Sequence, residues 1–255
     1  MKLIFILGLI LIPQMGISQI SEIGPSTIKH LDLTFQGEEE FNKNRAAAQQ
    51  VLAKMRRLGV EFGELSQEDQ QIYMKDPETM GSYWDILGGG CSWYCGGGPK
   101  DITASSYLKQ QGGMDYTPLN IHDSDYKHVW AEGVDGDGIG EYILYTFSGA
   151  SPRINEIIVV NGYVKSKTAW ENNSRVKKLK VYVNDKPYVI LHLQDSRSSQ
   201  HFRVDPIGNG DREDTDALLA KPDWTLKFEI LDVYKGLKYD DTVISEIYFD
   251  GLDVH

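Results

Sequence analysis

Short apolar runs, separated by glycine, asparagine and aspartate, fill the chain from about residue 81 to its end. Residues 178–183 alternate between polar and apolar side chains, which is the pattern of a strand with one buried face. Further runs rich in β-branched and aromatic residues predict strands over residues 139–147, 154–160, 188–193, 224–233 and 243–249. Because no helical patterns alternate with these runs, the sequence predicts a mainly β fold, either a sandwich or a barrel.

A different pattern precedes the strands. Apolar residues recur every three or four positions within residues 38–58, which predicts a helix that ends at Gly59. A second helix is predicted to start at Ser66, where a near capping-box pattern begins, and to stop before Pro77. Residues 19–80 therefore form a helical N-terminal extension, which we expect to pack on the main domain, residues 81–255, or to hold a protein partner.

The first 18 residues have the pattern of a signal peptide. Lys2 is followed by an unbroken apolar run over residues 3–12, then by Pro13 and by small residues before Ser18. A membrane span needs roughly 20 apolar residues, so this run is too short to be one. We expect cleavage near Ser18 and Gln19 and export to the periplasm or the exterior. The alternative is a buried N-terminal strand.

The net charge limits the classes of partner that the chain can bind. The net charge is −11, and residues 1–18 contain one lysine and no acid, so the mature chain would carry −12. Such a surface repels nucleic acid and anionic lipid, and it suits neutral ligands and divalent cations. The sequence carries no nucleophile-elbow, zinc-protease or phosphate-loop motif, and we expect no enzymatic activity.

The two cysteines are Cys91 and Cys95. In an exported protein we expect them to form a disulfide, although a metal site with further ligands is the alternative. Three aromatic residues lie nearby, namely Trp84, Trp93 and Tyr94. Such a cluster is more often a plug of the core than a binding platform.

A set of motifs resembles the discoidin, or F5/8 type C, domains of the galactose-binding-like superfamily. The motifs are Ala104-Ser105-Ser106, Asp123-Ser124-Asp125, Trp130-Ala131-Glu132-Gly133, Asn161-Gly162-Tyr163 and Ile244-Ser245-Glu246-Ile247. Together with residues 91–96 they are more similar to the glycan-binding domain that precedes the catalytic domain in secreted bacterial NAD glycohydrolases. The resemblance covers about residues 81–255 and implies a jelly-roll β-sandwich. Because the chain ends at His255 without a further domain, we do not expect it to carry NAD glycohydrolase activity.

The resemblance implies a calcium site. Asp123 and Asp125 lie in one tight loop, and Glu246 matches the acidic residue near the C-terminus that completes the ion's shell in such domains. Asn120 and His128 would add carbonyl oxygens, since Ca²⁺ prefers six to eight oxygen ligands. The alternative is that these acids only cap a turn and face water. Residues 135–141 resemble half of an EF-hand, but the spacing is wrong, so we expect a glycine-rich hairpin or bulge there.

The resemblance also implies that loops at one end of the sandwich hold the ligand, and it places them at residues 107–117, 132–141 and 161–175. The third loop contains the candidate residues Tyr163, Trp170, Asn172, Asn173 and Arg175. We expect Trp170 to be exposed and to stack on a sugar ring while Asn172 and Arg175 bind its hydroxyls, whereas Tyr163 is as well explained by a structural role. The leading hypothesis is a carbohydrate-binding module for a glycan or glycoconjugate. The rival hypothesis is a structural or protein-interaction module that uses the N-terminal helices.

Overall fold

The computed structural model describes residues 20–76, 81–86 and 92–254. The strands in these ranges are β1 (Ser21–Ile23), β2 (Thr27–His30), β3 (Asp101–Ala104), β4 (Trp130–Ala131), β5 (Tyr142–Phe147), β6 (Ile154–Asn161), β7 (Ser174–Val183), β8 (Lys186–His192), β9 (Ser198–Ile207), β10 (Trp224–Tyr234) and β11 (Thr242–Gly251). The helices are α1 (Phe35–Leu58), α2 (Gln67–Tyr73), α3 (Lys167–Asn172) and α4 (Thr215–Leu219). All six predicted strands are present.

The strands form two layers. One layer has the order β2-β9-β6-β11, with β4 beside β11, and the other has the order β3-β5-β10-β7, with β8 and β1 beyond β7. A short parallel pairing of Thr242 and Val243 in β11 with Ser174 and Arg175 in β7 joins the layers into one continuous hydrogen-bonded sheet. The chain is therefore a mainly β protein whose strands form a two-layer sandwich, as predicted.

The side chains that face inward from the two layers meet in an apolar core. In β5, Ile143, Tyr145 and Phe147 are fully buried, and the residues between them are only partly covered. Phe147 stacks on Trp224 of β10 with 4.3 Å between the ring centroids, and it packs edge-on against Phe249 of β11. This two-residue period gives each strand one face in the core.

The segment before helix α1 contributes strands as well, which the sequence patterns did not predict. β1 pairs in parallel with β8 in one layer, and β2 pairs antiparallel with β9 in the other. Both strands are short and mostly exposed, so they lack the apolar alternation from which a strand is predicted. The first described residues therefore extend both layers of the sandwich.

Helices α1 and α2 confirm the two predicted helices. The hydroxyl of Thr34 accepts the amide of Gly37 at the start of α1, and Gly59 ends the helix in the left-handed conformation with φ 66°. Ser66 caps α2 in the same way, by accepting the amide of Asp69. No helix in the described part of the chain combines the length and the apolar character needed to cross a membrane.

Several loops converge at one end of the sandwich. The amide of Leu108 donates to the carbonyl of Ala131 at 2.9 Å, and the amide of Leu237 donates to the carbonyl of Glu171 at the same distance. Gly133 lies so close to the carbonyl of Tyr107 that a β-carbon there would be 2.3 Å from its oxygen. These contacts hold three loops, residues 107–117, 132–141 and 161–173, together with residues 235–241; we call this region the loop end. Residues 135–141 connect strands of different layers, so they are not the predicted hairpin.

Candidate functional site

A pocket of about 270 Å³ opens at the loop end. Its volume is near the lower limit of the ~300–1,000 Å³ range of small-molecule sites. Apolar side chains and polar groups both line it, namely Leu108, Gln111, Tyr116, Ala131, Tyr163, Lys165, Ala169, Asn172, Asn173, Tyr239, Asp241 and Val243. Two of the three predicted loops contribute to this lining, and Ala131 of β4 together with residues 239–243 supplies the rest. We call it the loop-end pocket.

Lys165 and Tyr163 form one wall of the loop-end pocket. The Lys165 Nζ donates to the Tyr163 hydroxyl at 2.6 Å and lies 4.2 Å from the centre of that ring. The Tyr163 hydroxyl in turn donates to the carbonyl of Lys127 at 3.2 Å. Burial lowers the pKa of Lys165 and raises the pKa of Tyr163 to about 12. The ammonium group is therefore partly desolvated, and its partner is a neutral phenol rather than a carboxylate.

Tyr116 and Asp241 lie across the same pocket. Burial raises the pKa of the Asp241 carboxyl above its ordinary value, and the nearby charge of Asp240 adds to the effect. Burial also raises the pKa of Tyr116. Tyr239 is 43% exposed at the pocket's edge. The pocket thus offers aromatic faces, one cationic donor and one anionic acceptor, which are the groups that can bind a polyhydroxylated ring.

Asn172 and Asn173, both predicted ligand residues, line the loop-end pocket. They end helix α3, whose start is capped by Ser166. The Asn173 amide Nδ2 donates to the carbonyl of Ala169 at 2.8 Å, and the carbonyl of Asn172 accepts the amide of Tyr239 at 2.8 Å. The side-chain amide of Asn173 and the backbone carbonyl of Asn172 therefore hold these two residues at the pocket.

The structure corrects the expectation that Trp170 is an exposed stacking surface. The indole is half-buried, and its Nε1 donates to the carbonyl of Asn161 at 3.0 Å. Gly162 allows this contact, because a β-carbon there would lie 2.8 Å from the Trp170 ring and because φ at Gly162 is +79°. The short helix α3 therefore folds back onto the sandwich, and the polar neighbours of Trp170 in the sequence hid this packing.

Arg175, which we predicted to bind sugar hydroxyls, is buried and binds protein atoms in this structure. The residue is 6% exposed, and its guanidinium makes two hydrogen bonds of 3.0 Å to Asp195. It also donates to the carbonyl of Asn173 and lies 4.5 Å above the Trp170 ring. A ligand could bind this guanidinium only after these bonds were broken.

The predicted calcium ligands come together in part. Asp123 Oδ1 and Glu246 Oε1 both accept the amide of Asp125, at 2.9 and 3.2 Å. Glu246 is buried, and its Oε2 has no hydrogen-bond partner among the described residues. Burial and the nearby Asp123 carboxylate raise the pKa of Glu246 well above its ordinary value. We call Asp123 and Glu246 the acid pair.

The other three predicted ligands bind protein atoms. The Asp125 carboxylate accepts the amide of Lys127, and the His128 Nδ1 lies 2.6 Å from Asp123 Oδ2. The Asn120 amide Nδ2 donates to the carbonyl of Val129 and to Asp115. Within the described ranges, no three His, Cys, Asp or Glu residues form a metal-binding cluster. The acid pair, with its unpartnered buried oxygen, is the part of the set that fits a cation.

Two motifs of the resemblance have structural roles. Glu132 is fully buried, and its carboxylate accepts the amides of Thr242 and Val134 at 3.1 and 2.9 Å. The hydroxyls of Ser105 and Ser106 both donate to the Glu141 carboxylate. These carboxylates accept hydrogen bonds at the bases of loops. Acidic residues that resemble catalytic or ligand residues in the sequence therefore have a structural role here.

Trp93 is a core plug, as the sequence suggested. It is 1% exposed and packs edge-on against Phe147 and Phe249. The Tyr94 hydroxyl accepts the amide of Phe249 at 2.9 Å. Cys95 is exposed, and its Sγ accepts the amide of Ser92 at 3.4 Å. Cys91 lies outside the described residues, as does the predicted signal peptide, so the disulfide and the cleavage site stay predictions.

Four pocket residues, Tyr116, Lys165, Tyr239 and Asp241, were not predicted from the sequence. Lys165 and Asp241 are charged residues among many, and the signal that marks them is their burial. Tyr116 lies within a predicted loop, so its loop position could have indicated it. Only the fold brings these side chains to one pocket.

Comparison with known proteins identifies one matching family. Residues 93–250, well over half of the chain, match the NAD glycohydrolase translocation F5/8 type C domain. No curated protein matches the chain. Among solved structures, a fragment with the CBM32-1 and CBM32-2 domains of Clostridium perfringens ZmpB in complex with GalNAc aligns at 9% identity and a TM-score of 0.43. That alignment covers 60% of this chain and 33% of the fragment.

Two further solved structures from Clostridium perfringens align with a similar share of this chain. CpGH89CBM32-5, in complex with GalNAc-beta-1,3-galactose, aligns at 13% identity with a TM-score of 0.40 and covers 59% of this chain and 94% of that one. CBM32-3 from a family 31 glycoside hydrolase aligns at 13% identity with a TM-score of 0.41 and covers 59% and 91%.

Proposed function

The chain belongs to the family of NAD glycohydrolase translocation F5/8 type C domains, and we propose that it is a non-catalytic module that binds a terminal sugar of a glycan in the loop-end pocket. The family is a carbohydrate-binding or translocation domain. The observation that carries the proposal is the lining of the pocket, where Tyr116, Lys165 and Asp241 are partly buried together. Buried polar groups without ligand are costly, and hydroxyls of a sugar satisfy both signs of charge.

The pocket favours a neutral sugar over an acidic one. Asp241 accepts hydroxyl protons but repels a carboxylate, and the chain as a whole carries a net charge of −11. Lys165 keeps donors for ring or hydroxyl oxygens, since within the described residues its Nζ donates to the Tyr163 hydroxyl alone, at 2.6 Å. A single ring fits a pocket of about 270 Å³ better than a long oligosaccharide does.

A glycan array, followed by calorimetric titration of the strongest sugar, tests the proposal. GalNAc, which is bound in the structure of one CBM32 fragment, is a suitable first probe. Lys165→Ala and Asp241→Asn are each expected to weaken binding roughly tenfold or more, because a hydrogen bond to a charged group contributes about 1.5–3 kcal/mol. Lys167→Ala is the matched control, since that lysine is 82% exposed on helix α3. Wild-type affinity in both pocket variants would contradict the proposal.

We propose further that Ca²⁺ binds at the acid pair and stabilises the loop that follows Asp123. The buried Glu246 carboxyl lies beside the more exposed Asp123 carboxylate, so a proton or a cation would stabilise it, and its Oε2 has no hydrogen-bond partner among the described residues. Carboxylate oxygens and backbone carbonyls both coordinate Ca²⁺, so the loop that follows Asp123 would supply further ligands. When bound, the ion would neutralise the acid pair and hold the loop in place.

Export is part of the same proposal and rests on the pattern of residues 1–18. The rival function, binding of a protein partner through helices α1 and α2, has less support. Helix α1 buries only Ala48 and Val51 among the described residues, helix α2 buries none, and Leu58 at the end of α1 is exposed. A glycan array without any signal, together with unchanged stability in calcium, would favour the rival.

A further inference from the structure

The loop-end pocket is connected to the N-terminal extension through Lys127. The Lys127 Nζ forms an ion pair of 2.7 Å with Glu38 in the first turns of helix α1, and it lies 5.3 Å from the centre of the Trp84 ring. The carbonyl of the same residue accepts a hydrogen bond from the Tyr163 hydroxyl, which in turn accepts a hydrogen bond from the Lys165 Nζ. One residue therefore contacts helix α1 with its side chain and the pocket wall with its backbone.

A second contact reaches the same wall from the same segment. The Arg197 guanidinium donates to the carbonyl of Leu33, just before helix α1, and to the carbonyl of Val164, at 2.6 and 2.8 Å. Val164 lies between the two wall residues, and it is fully buried. Burial lowers the pKa of Arg197, which fits a guanidinium that backbone carbonyls hold inside the protein. Two separate cations thus tie residues 33–38 to residues 163–165.

We propose that the start of helix α1 positions the sugar-binding wall, so that Glu38, Lys127 and Arg197 act as positioning residues for the loop-end pocket. Residues 33–38 precede the span that matches the family, residues 93–250, so this arrangement is a property of the extension. The inference rests on the proposed function for its effect on sugar binding. The structural coupling of helix α1 to residues 163–165 does not depend on whether the protein binds a sugar.

The expected effect of breaking the contact between Lys127 and Glu38 on sugar affinity is small. Lys127 and Glu38 keep 41% and 25% of their side chains exposed, and exposed ion pairs are weak. Coupling between linked sites is also modest in general. We therefore expect Glu38→Gln to weaken sugar binding by about two- to fivefold. Glu39→Gln changes the charge equally on an exposed neighbour and is the matched control.

Hydrogen–deuterium exchange followed by mass spectrometry tests the coupling in the absence of sugar. Glu38→Gln should raise deuterium uptake in peptides that cover residues 123–128 and 161–166, and it should leave the core strands β5 and β10 at wild-type uptake. A general loss of stability would raise uptake in those strands too. Arg197→Lys, which keeps the charge but loses the forked geometry, should raise uptake at residues 161–166 as well.

A double-mutant cycle decides whether Tyr163 transmits the effect. In a Tyr163→Phe background, Glu38→Gln should cause no further loss of affinity, because the hydroxyl that reaches Lys127 is absent. Equal uptake in Glu38→Gln and Glu39→Gln, or fully additive effects in the cycle, would overturn the inference. If the wild-type protein bound no sugar on the array, the proposed function would fail, and the exchange result alone would decide the coupling.

Discussion

Arg175 gives the sharpest test of how the loop end is built. If the guanidinium is a structural tie, Arg175→Ala should destabilise the protein, whereas a ligand residue could be removed at little cost. The variant loses two hydrogen bonds to Asp195 and leaves the carbonyl of Asn173 without its donor. Because Arg175 is 6% exposed, water can replace these bonds only after the local structure opens.

The loss of unfolding free energy in Arg175→Ala can be worked out from these contacts. Removing one partner of a buried ion pair costs about 3–5 kcal/mol, and a buried carbonyl without a donor costs about 1–3 kcal/mol. The Asp195 side chain is 36% exposed, so solvent reduces the first contribution. We expect the free energy of unfolding to fall by about 2–4 kcal/mol. For a chain of this size that corresponds to a melting temperature lower by roughly 4–16 °C.

Differential scanning fluorimetry and sugar titration together make the assay. Asn172→Ala is the control, since its side chain lines the loop-end pocket; it should change stability by less than about 0.5 kcal/mol and weaken sugar binding. If Arg175→Ala kept the wild-type melting temperature and lost sugar binding, the structural role assigned to Arg175 would be refuted. The original prediction from the sequence would then be correct.

Three further predictions concern the acid pair and the cysteines. Millimolar Ca²⁺ should raise the melting temperature of the wild type but not of Asp123→Asn, as scanning fluorimetry would show; equal rises in both would exclude the acid pair as the ion's site. In EDTA, Glu246 has a folded-state pKa above its unfolded value of about 4.3, so the stability it contributes is complete below that pH and is lost as pH rises towards the folded pKa. The difference in unfolding free energy between wild type and Glu246→Gln should therefore change with pH above about 5, by at most about 1.4 kcal/mol per pH unit, and parallel urea titration curves would contradict this. Cys91 and Cys95 should resist alkylation without reductant in exported protein, and two alkylated thiols in the intact mass would exclude the disulfide.

The fold could be predicted from the sequence because its strands carry their own pattern. The alternation in residues 178–183 predicted the second half of β7, and the other five predicted runs, rich in β-branched and aromatic residues, also coincide with strands. β1 and β2 could not be predicted in this way. Each is four residues or fewer, and each depends on a partner far away in the sequence, such as β8 for β1.

The site was predictable only at the level of loops. Asn172 and Asn173, which lie in a predicted loop, line the loop-end pocket, and their role as ligand residues stays a prediction. The ion pair of Arg175 with Asp195 could not be predicted, because the two residues are 20 positions apart and no local pattern indicates the pair. Lys165 and Asp241 were missed for a related reason. Their chemistry depends on burial, which arises only when distant segments meet.

The pairing of the first strands has a consequence for the order of folding. Glu22 in β1 contacts His192 in β8, which is 170 residues later in the chain. Strand β2 likewise pairs with the distant strand β9. Closing so long a loop costs entropy before any contact stabilises it, and non-local strand pairing slows folding to the range of milliseconds to seconds. The edges of β8 and β9 that β1 and β2 cover therefore stay unpaired until these long loops have closed. A chain that lacked these first strands would expose unpaired backbone on both layers, which is the usual template for edge-to-edge association.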